Sequence, residues 1–150
     1  MRRERTVSLI RVFDAPRSRV FEAWTRAEHL ARWFCPNGFT VPACEADPRP
    51  GGVFRLCMRS PDGRDFWMRG AFSEVVVPER LVIAGAAHDD RGIERIQTVI
   101  TVTFAAQGGK TRLTLRATAG GEGAEAGAML EGMEQGWTET IGRLAAHLAN

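Results

Sequence analysis

Tyrosine is absent from the 150 residues, and Lys110 is the only lysine. The first absence removes a common general acid. The second leaves arginine to carry the positive charge. The arginines are scattered, as a bias in genomic base composition would leave them, rather than clustered for phosphate recognition. Twenty basic side chains stand against 18 acidic ones, a net charge near +2, which gives no reason to expect nucleic acid or an anionic membrane. Cysteine is sparse: Cys35, Cys44 and Cys57 form no C-x-x-C pair, so neither a zinc site nor a redox motif is written, and buried thiols in a reducing compartment are expected. No stretch approaches the roughly 18–20 apolar residues that span a bilayer. The basic Met1–Arg5 run leads into a strand pattern rather than the apolar core of a signal peptide. Together these point to the cytoplasm.

Catalytic and metal signatures are missing too. There is no G-x-S-x-G, and no metal-spaced set of His, Cys and Asp, so no cofactor is implied. Gly51-Gly52 precede a strand rather than a helix, which leaves no helix N-terminus for an anion and makes them turn residues. The three histidines are far apart in sequence. His29 is expected on the exposed side of a short helix. His147 falls near a helix C-terminus, where a cation is favoured. His88 ends a strand beside a loop, where the mouth of a pocket would lie.

With 44% apolar and 25% charged residues, the chain has the composition of one globular domain, 1–150. Its last stretch is the most telling. Met129, Met133, Trp137, Ile141, Leu144 and Leu148 recur at steps of four and three, so one long helix over 124–148 carries them on one side. Most of what precedes it alternates like strand. Thr6 to Phe13 is the first. Two short helices follow: one opened by Asp14-Ala15-Pro16, with Asp14 as a cap, the other by a capping box in Thr25-Arg26-Ala27-Glu28. Then come 39–47, with Pro42 marking an edge or bulge, and 53–59, 65–77, 81–87, 94–105 and 111–118. Ile96, Ile100, Val102 and Phe104 are the expected inner face of the longest strand. Tight turns such as Pro61-Asp62-Gly63 and Gln107-Gly108-Gly109-Lys110 make the order an antiparallel meander. Ala119 to Gly123 reads as a flexible link to the last helix.

The fold class is therefore α+β: a seven-stranded antiparallel sheet wrapped around a long C-terminal helix, with two short helices after the first strand. This is the helix-grip arrangement. The residues that carry a closer likeness are Ala15-Pro16 with Val20-Phe21-Glu22-Ala23-Trp24, Leu30-Ala31-Arg32-Trp33-Phe34, Asp47-Pro48-Arg49-Pro50-Gly51-Gly52-Val53-Phe54-Arg55, Gly70-Ala71-Phe72-Ser73-Glu74-Val75, Pro78-Glu79-Arg80-Leu81-Val82, Thr111-Arg112-Leu113-Thr114-Leu115 and Gly136-Trp137. On these the chain resembles the START-like superfamily, and within it the branch named after the activator of Hsp90 ATPase. The resemblance spans essentially the whole chain. It implies a pocket between sheet and helix for an apolar small molecule, in a superfamily that includes lipid carriers, aromatic polyketide cyclases and many bacterial proteins of unknown role. It gives no room for an additional chaperone-binding domain.

The pocket candidates are Trp33, Phe34, Phe54, Met58, Phe66, Met68, Met129, Met133 and Trp137. Plain core filling competes as an explanation for each one singly, but as a set they offer the aromatic and flexible walls a pocket needs. Glu74 shares the alternation of Gly70 and Phe72, which turns it inward, where Arg69 or Arg80 would pair with it. Three functions remain open. The first is binding of a small apolar or aromatic molecule for sequestration, transport or sensing. The second is a cyclase or dehydratase acting on a polyketide-like substrate, with Glu74, His88 and Arg69 to test first. The third is a module that contacts a chaperone. A second copy of the chain is admitted as a partner on base rates alone.

Overall fold

The computed structural model describes all 150 residues. Strand β1 (Arg2–Phe13) leads into helices α1 (Arg17–Thr25) and α2 (Ala27–Trp33). Six strands follow: β2 (Thr40–Ala46), β3 (Val53–Arg59), β4 (Asp65–Val76), β5 (Arg80–His88), β6 (Glu94–Gln107) and β7 (Lys110–Glu122). Helices α3 (Ala124–Glu131) and α4 (Met133–Leu148) close the chain. The seven strands form one sheet in the order β1-β7-β6-β5-β4-β3-β2, with every neighbouring pair antiparallel. The first strand thus pairs with the last, and β2 and β1 are the two edges. Pro42 lies on edge strand β2, where the register shifts between Thr40 and Ala43 and no ladder bond is demanded of it.

The apolar face of the sheet meets the helices in one core. Ile96, Ile100, Val102 and Phe104 of β6 are all buried, as their alternation predicts, alongside Leu113 and Leu115 of β7. In β1, Val7 and Phe13 are buried while Ile10 and Val12 face outward, which settles a strand whose two faces are both apolar by composition. From α1, Phe21 packs edge-on against Phe104 with ring centroids 5.3 Å apart. From α4, Ile141, Leu144 and Leu148 are buried, as the helical periodicity requires.

Several local expectations are corrected. The C-terminal stretch is two helices, broken at Gly132. The freed carbonyls of Leu130 and Glu131 each accept Arg5 Nη1 from β1 at 2.8 Å, so a guanidinium closes the end of α3. The N-cap of α1 is Pro16, and Asp14 makes no cap. The capping box is not formed either. Thr25 still belongs to α1, where its hydroxyl bonds back to Phe21 O (3.1 Å) and Glu22 O (3.3 Å), and Arg26 takes the N-cap place of α2. The segment after Thr118 is strand rather than link: Ala119 to Glu122 pair with Arg5 to Arg2 of β1. Backbone ladders on that edge outweigh the weak strand propensity of Ala and Gly.

Glu74 does not turn inward. The β4–β5 register shifts between Phe72 and Glu74, so Val75, paired with buried Leu81, takes the inner place. Glu74 instead accepts Arg80 Nε at 3.1 Å on the partly exposed outer side. Near the other end of β5, buried Asp89 accepts the backbone N–H groups of Arg91 (2.9 Å) and Ile93 (3.0 Å) and Arg95 Nε (2.8 Å). Glu125, at the start of α3, bonds Arg91 (3.0 Å) and Arg95 (3.2 Å), so the β5–β6 loop is tied to the C-terminal helices. The Ile93 amide above all, with Arg95 and Arg91, holds the Asp89 carboxyl well below the usual carboxylate range.

Candidate functional site

Side chains on the concave face run in rows across the sheet, because directly opposed residues of antiparallel strands share a face. One row reads Leu56, Met68, Ala87, Ile96; another reads Phe72, Ile83, Ile100, Ala117. The row between them reads Phe54, Gly70, Gly85, Thr98, Ala119. Beyond Phe54, four neighbouring strands bring almost no side-chain volume to this line. At its centre the two glycines stand backbone against backbone. A Cβ on Gly70 would sit 2.7 Å from Gly85 Cα and closer still to Ala84 O, so only glycine fits.

A hollow of about 170 Å³ lies over the Thr98–Ala119 end of this row. Thr98 and Ala119 belong to the small row, Met68, Ala87 and Ile96 to the row on one side, and Ile100 to the row on the other. Met133, Gly136, Trp137 and Thr140 of α4 close it from above, and Phe34, Cys35 and Pro36 from the end of α2. Met58 completes the lining. No charged side chain takes part. Pro36, Met58, Gly136 and Trp137 are only half-buried, so the hollow opens outward between α4 and the loop after α2.

The aromatic wall is stiff. Phe34 and Trp137 meet edge to face at 5.6 Å, and fully buried Trp24 backs both, at 5.9 Å from Phe34 and stacked on Trp137 at 6.5 Å. The Trp24 indole N–H has no hydrogen-bond partner. The loop at the mouth is held from α4. Arg143 Nη1 donates to Phe39 O (2.9 Å), Pro36 O (3.2 Å) and Cys35 Sγ (2.9 Å), and the Asn37 amide donates to Glu139 Oε1 (3.0 Å). Burial pushes the Cys35 thiol up, and the neighbouring Arg143 offsets part of that. The lining hydroxyls spend their hydrogens on the backbone: Thr140 on Gly136 O (2.7 Å), Thr98 on Thr118 O (3.2 Å).

Of the nine pocket candidates, the structure brings Phe34, Met58, Met68, Met133 and Trp137 together around the hollow. Trp33 lies behind it, fully buried, with its N–H given to Ala23 O at 3.0 Å. Phe54 packs between Phe34 (5.4 Å) and Phe72 (5.5 Å) in the core. Phe66 pairs with Phe39 at 6.4 Å, and Met129 packs against the core from α3; neither lines the hollow. Glu74, His88 and Arg69 stand apart from it as well. His88 Nδ1 lies 3.3 Å from Trp67 O, and Arg69 covers the Trp67 ring at 4.8 Å, with Arg55 also over that ring at 5.2 Å. Cys35, Pro36, Ala87, Thr98, Ala119, Gly136 and Thr140 line the hollow without having been singled out. The available signal was small residues at inward positions, which mark space, whereas large apolar residues mark its walls.

No cluster of three His, Cys, Asp or Glu side chains is placed to hold a metal, and no helix is long and apolar enough to cross a membrane.

A curved seven-stranded sheet, a long C-terminal helix laid across it and an apolar hollow between the two define a helix-grip protein of the START-like class. Comparison of the sequence with family models places it further. Residues 14–149 match the model described as Activator of Hsp90 ATPase homolog 1-like protein, and the chain belongs to that family. No curated protein matches it. Solved structures that it resembles include a protein from Chromobacterium violaceum, 27% identical, with a TM-score of 0.81 and 94% of each chain covered. Another, from Nitrosomonas europaea, is also 27% identical, with a TM-score of 0.78, covering 96% of this chain and 94% of that one. A Silicibacter pomeroyi protein at 24% identity shares the fold, with a TM-score of 0.81 over 97% and 98% of the two chains.

Proposed function

We propose that the protein binds a small, uncharged, apolar or aromatic molecule in the hollow between the sheet and α4, as a module for sequestration, transport or sensing. The observation that carries this reading is the lining itself: about 170 Å³ bounded by aromatic, aliphatic and sulfur-bearing side chains, with no charge. An apolar void of roughly 150 Å³ is enough for a benzene-sized guest. An ionised group there would lose its hydration without compensation, which selects a neutral guest. The volume lies below the range of drug-sized pockets, which selects a guest of about one ring. The family's name refers to a chaperone ATPase, but the feature this chain itself presents is the hollow, so ligand binding comes first.

Two measurements test this. Native mass spectrometry of protein purified from its own host should show a retained small molecule and the subunit count together. Titration with uncharged single-ring aromatics should change the Trp emission saturably, because Trp137 is in the wall. A protein that carries nothing from its host and responds to none of the panel does not bind ligands in this way.

A further inference from the structure

Gly136 lies in the first turn of α4, flanked by three other lining residues: Met133 at the start of the helix, Trp137 next to it and Thr140 one turn after it. It is half-buried. A Cβ built on it meets no atom within 4 Å. Glycine inside a helix is unfavourable relative to alanine, and here nothing packs so close to the backbone that glycine is needed. That differs from Gly127 of α3, where a Cβ would meet the Arg3 guanidinium at 2.6 Å. The unfilled place at Gly136 is also the edge of the hollow. Half-buried Pro36 shares that lining, and one and two turns further along α4 Glu139 and Arg143 bind the same loop to the helix. The loop is therefore fastened to α4 beyond Gly136 and left open at it.

The geometry points to Gly136 as the residue that sets how long a guest the hollow accepts: a ring sits over Thr98 and Ala119, and an apolar tail leaves past the bare backbone at position 136. This rests on the ligand-binding reading above and narrows it to neutral aromatics bearing a linear apolar substituent. It also assigns position 136, rather than the larger wall residues, to length discrimination. Side chains at position 136 would occupy the outlet and leave the ring place untouched.

The test uses phenol, 4-ethylphenol, 4-butylphenol and 4-hexylphenol, titrated calorimetrically into the wild-type chain and into Gly136→Ala and Gly136→Leu. Affinity of the wild type should rise by about threefold to fourfold per buried methylene along the series. Gly136→Leu should lower the hexyl-to-phenol affinity ratio by about tenfold or more, with Gly136→Ala in between. Both variants should melt no lower than the wild type, since each replaces a helical glycine where there is open space. A wild type that binds the series and a Gly136→Leu variant with the same length profile overturn the assignment of Gly136 alone. Equal loss of phenol and the hexyl member also overturns it, because position 136 then lies in the body of the hollow. A wild type that binds no member overturns the ligand reading and this inference together.

Discussion

His29 Nδ1 and His147 Nε2 meet at 2.9 Å, so α2 and the last turn of α4 are joined through two imidazoles 118 residues apart. Their rings stand edge to face at 5.1 Å. Such a bond needs a lone pair on one ring, so the two cannot both be protonated and keep it. Glu22 Oε1 lies 3.6 Å from His29 Nε2. His147 is held toward its neutral form. Partial burial first, then His29, Arg32 and Arg19, lower its pKa, against the cation preference that a helix C-terminus alone would give it.

The pH dependence follows from that sign. The unfolded chain protonates His147 near 6.5, the folded chain only at lower pH. Between the two values the unfolded state binds more protons, so this contribution is complete above about pH 6.5 and is lost as pH falls through the folded value. Thermal melts from pH 8 to pH 5 should show the loss in the wild type and a flatter profile in His147→Gln. Parallel profiles would remove His147 as the cause.

Filling the hollow should separate binding from stability. Met133→Trp puts a larger apolar side chain into the space from α4. Binding of phenol should weaken about tenfold or more, while the melting temperature stays level or rises, because a void is being filled rather than a packed core overfilled. Calorimetry and a thermal melt on the same preparation check both.

Gly85→Ala tests why the concave face is bare. The new Cβ would lie 2.5 Å from Arg69 O and 2.8 Å from Gly70 Cα, so β4 and β5 must part. A loss of about 1–3 kcal/mol is expected, read as a lower urea midpoint. An unchanged midpoint would mean that the strands yield freely.

Thr111 gives a cleaner test of one buried bond. Its side chain is fully buried and its hydroxyl donates to Ala15 O at 2.7 Å, which ties β7 to the entry of α1. Thr111→Val keeps the volume and strands the carbonyl, at a cost of about 1–2 kcal/mol. Thr111→Ser should retain the hydroxyl bond and lose less. Urea unfolding of the two variants side by side distinguishes hydrogen bonding from packing.

How far the sequence foretold all this depends on what kind of signal each part leaves. The inward positions of β6 were legible because Ile96, Ile100, Val102 and Phe104 keep one alternation, broken only at Thr98. Glu74 was not, because a register shift after Phe72 leaves no mark in the residues that precede it. Thr25 carried a valid capping pattern, yet a single residue, Arg26, separates α1 from α2, and the hydroxyl was already engaged by the helix behind it. Five walls of the hollow were legible as large apolar residues on predicted inner faces. The space itself was not, since it opens where small Thr98 and Ala119 lie opposite each other, an alignment fixed only once the strands are in register. The pairing of His29 with His147 left no sequence trace at all, being a product of how α4 lies across α2.

The closure of the sheet by its first and last strands has a consequence for the nascent chain. Thr6 and Thr118, facing partners on β1 and β7, are 112 residues apart. At a translation rate of 5–20 residues per second, the opening strand waits roughly 6–20 s after leaving the ribosome before its only partner is made. Throughout that wait it is a free edge bearing Ile10 and Val12. Arg2, Arg3, Arg5 and Arg11 on the same strand supply the like charge that discourages two such edges on neighbouring polysomes from pairing with each other.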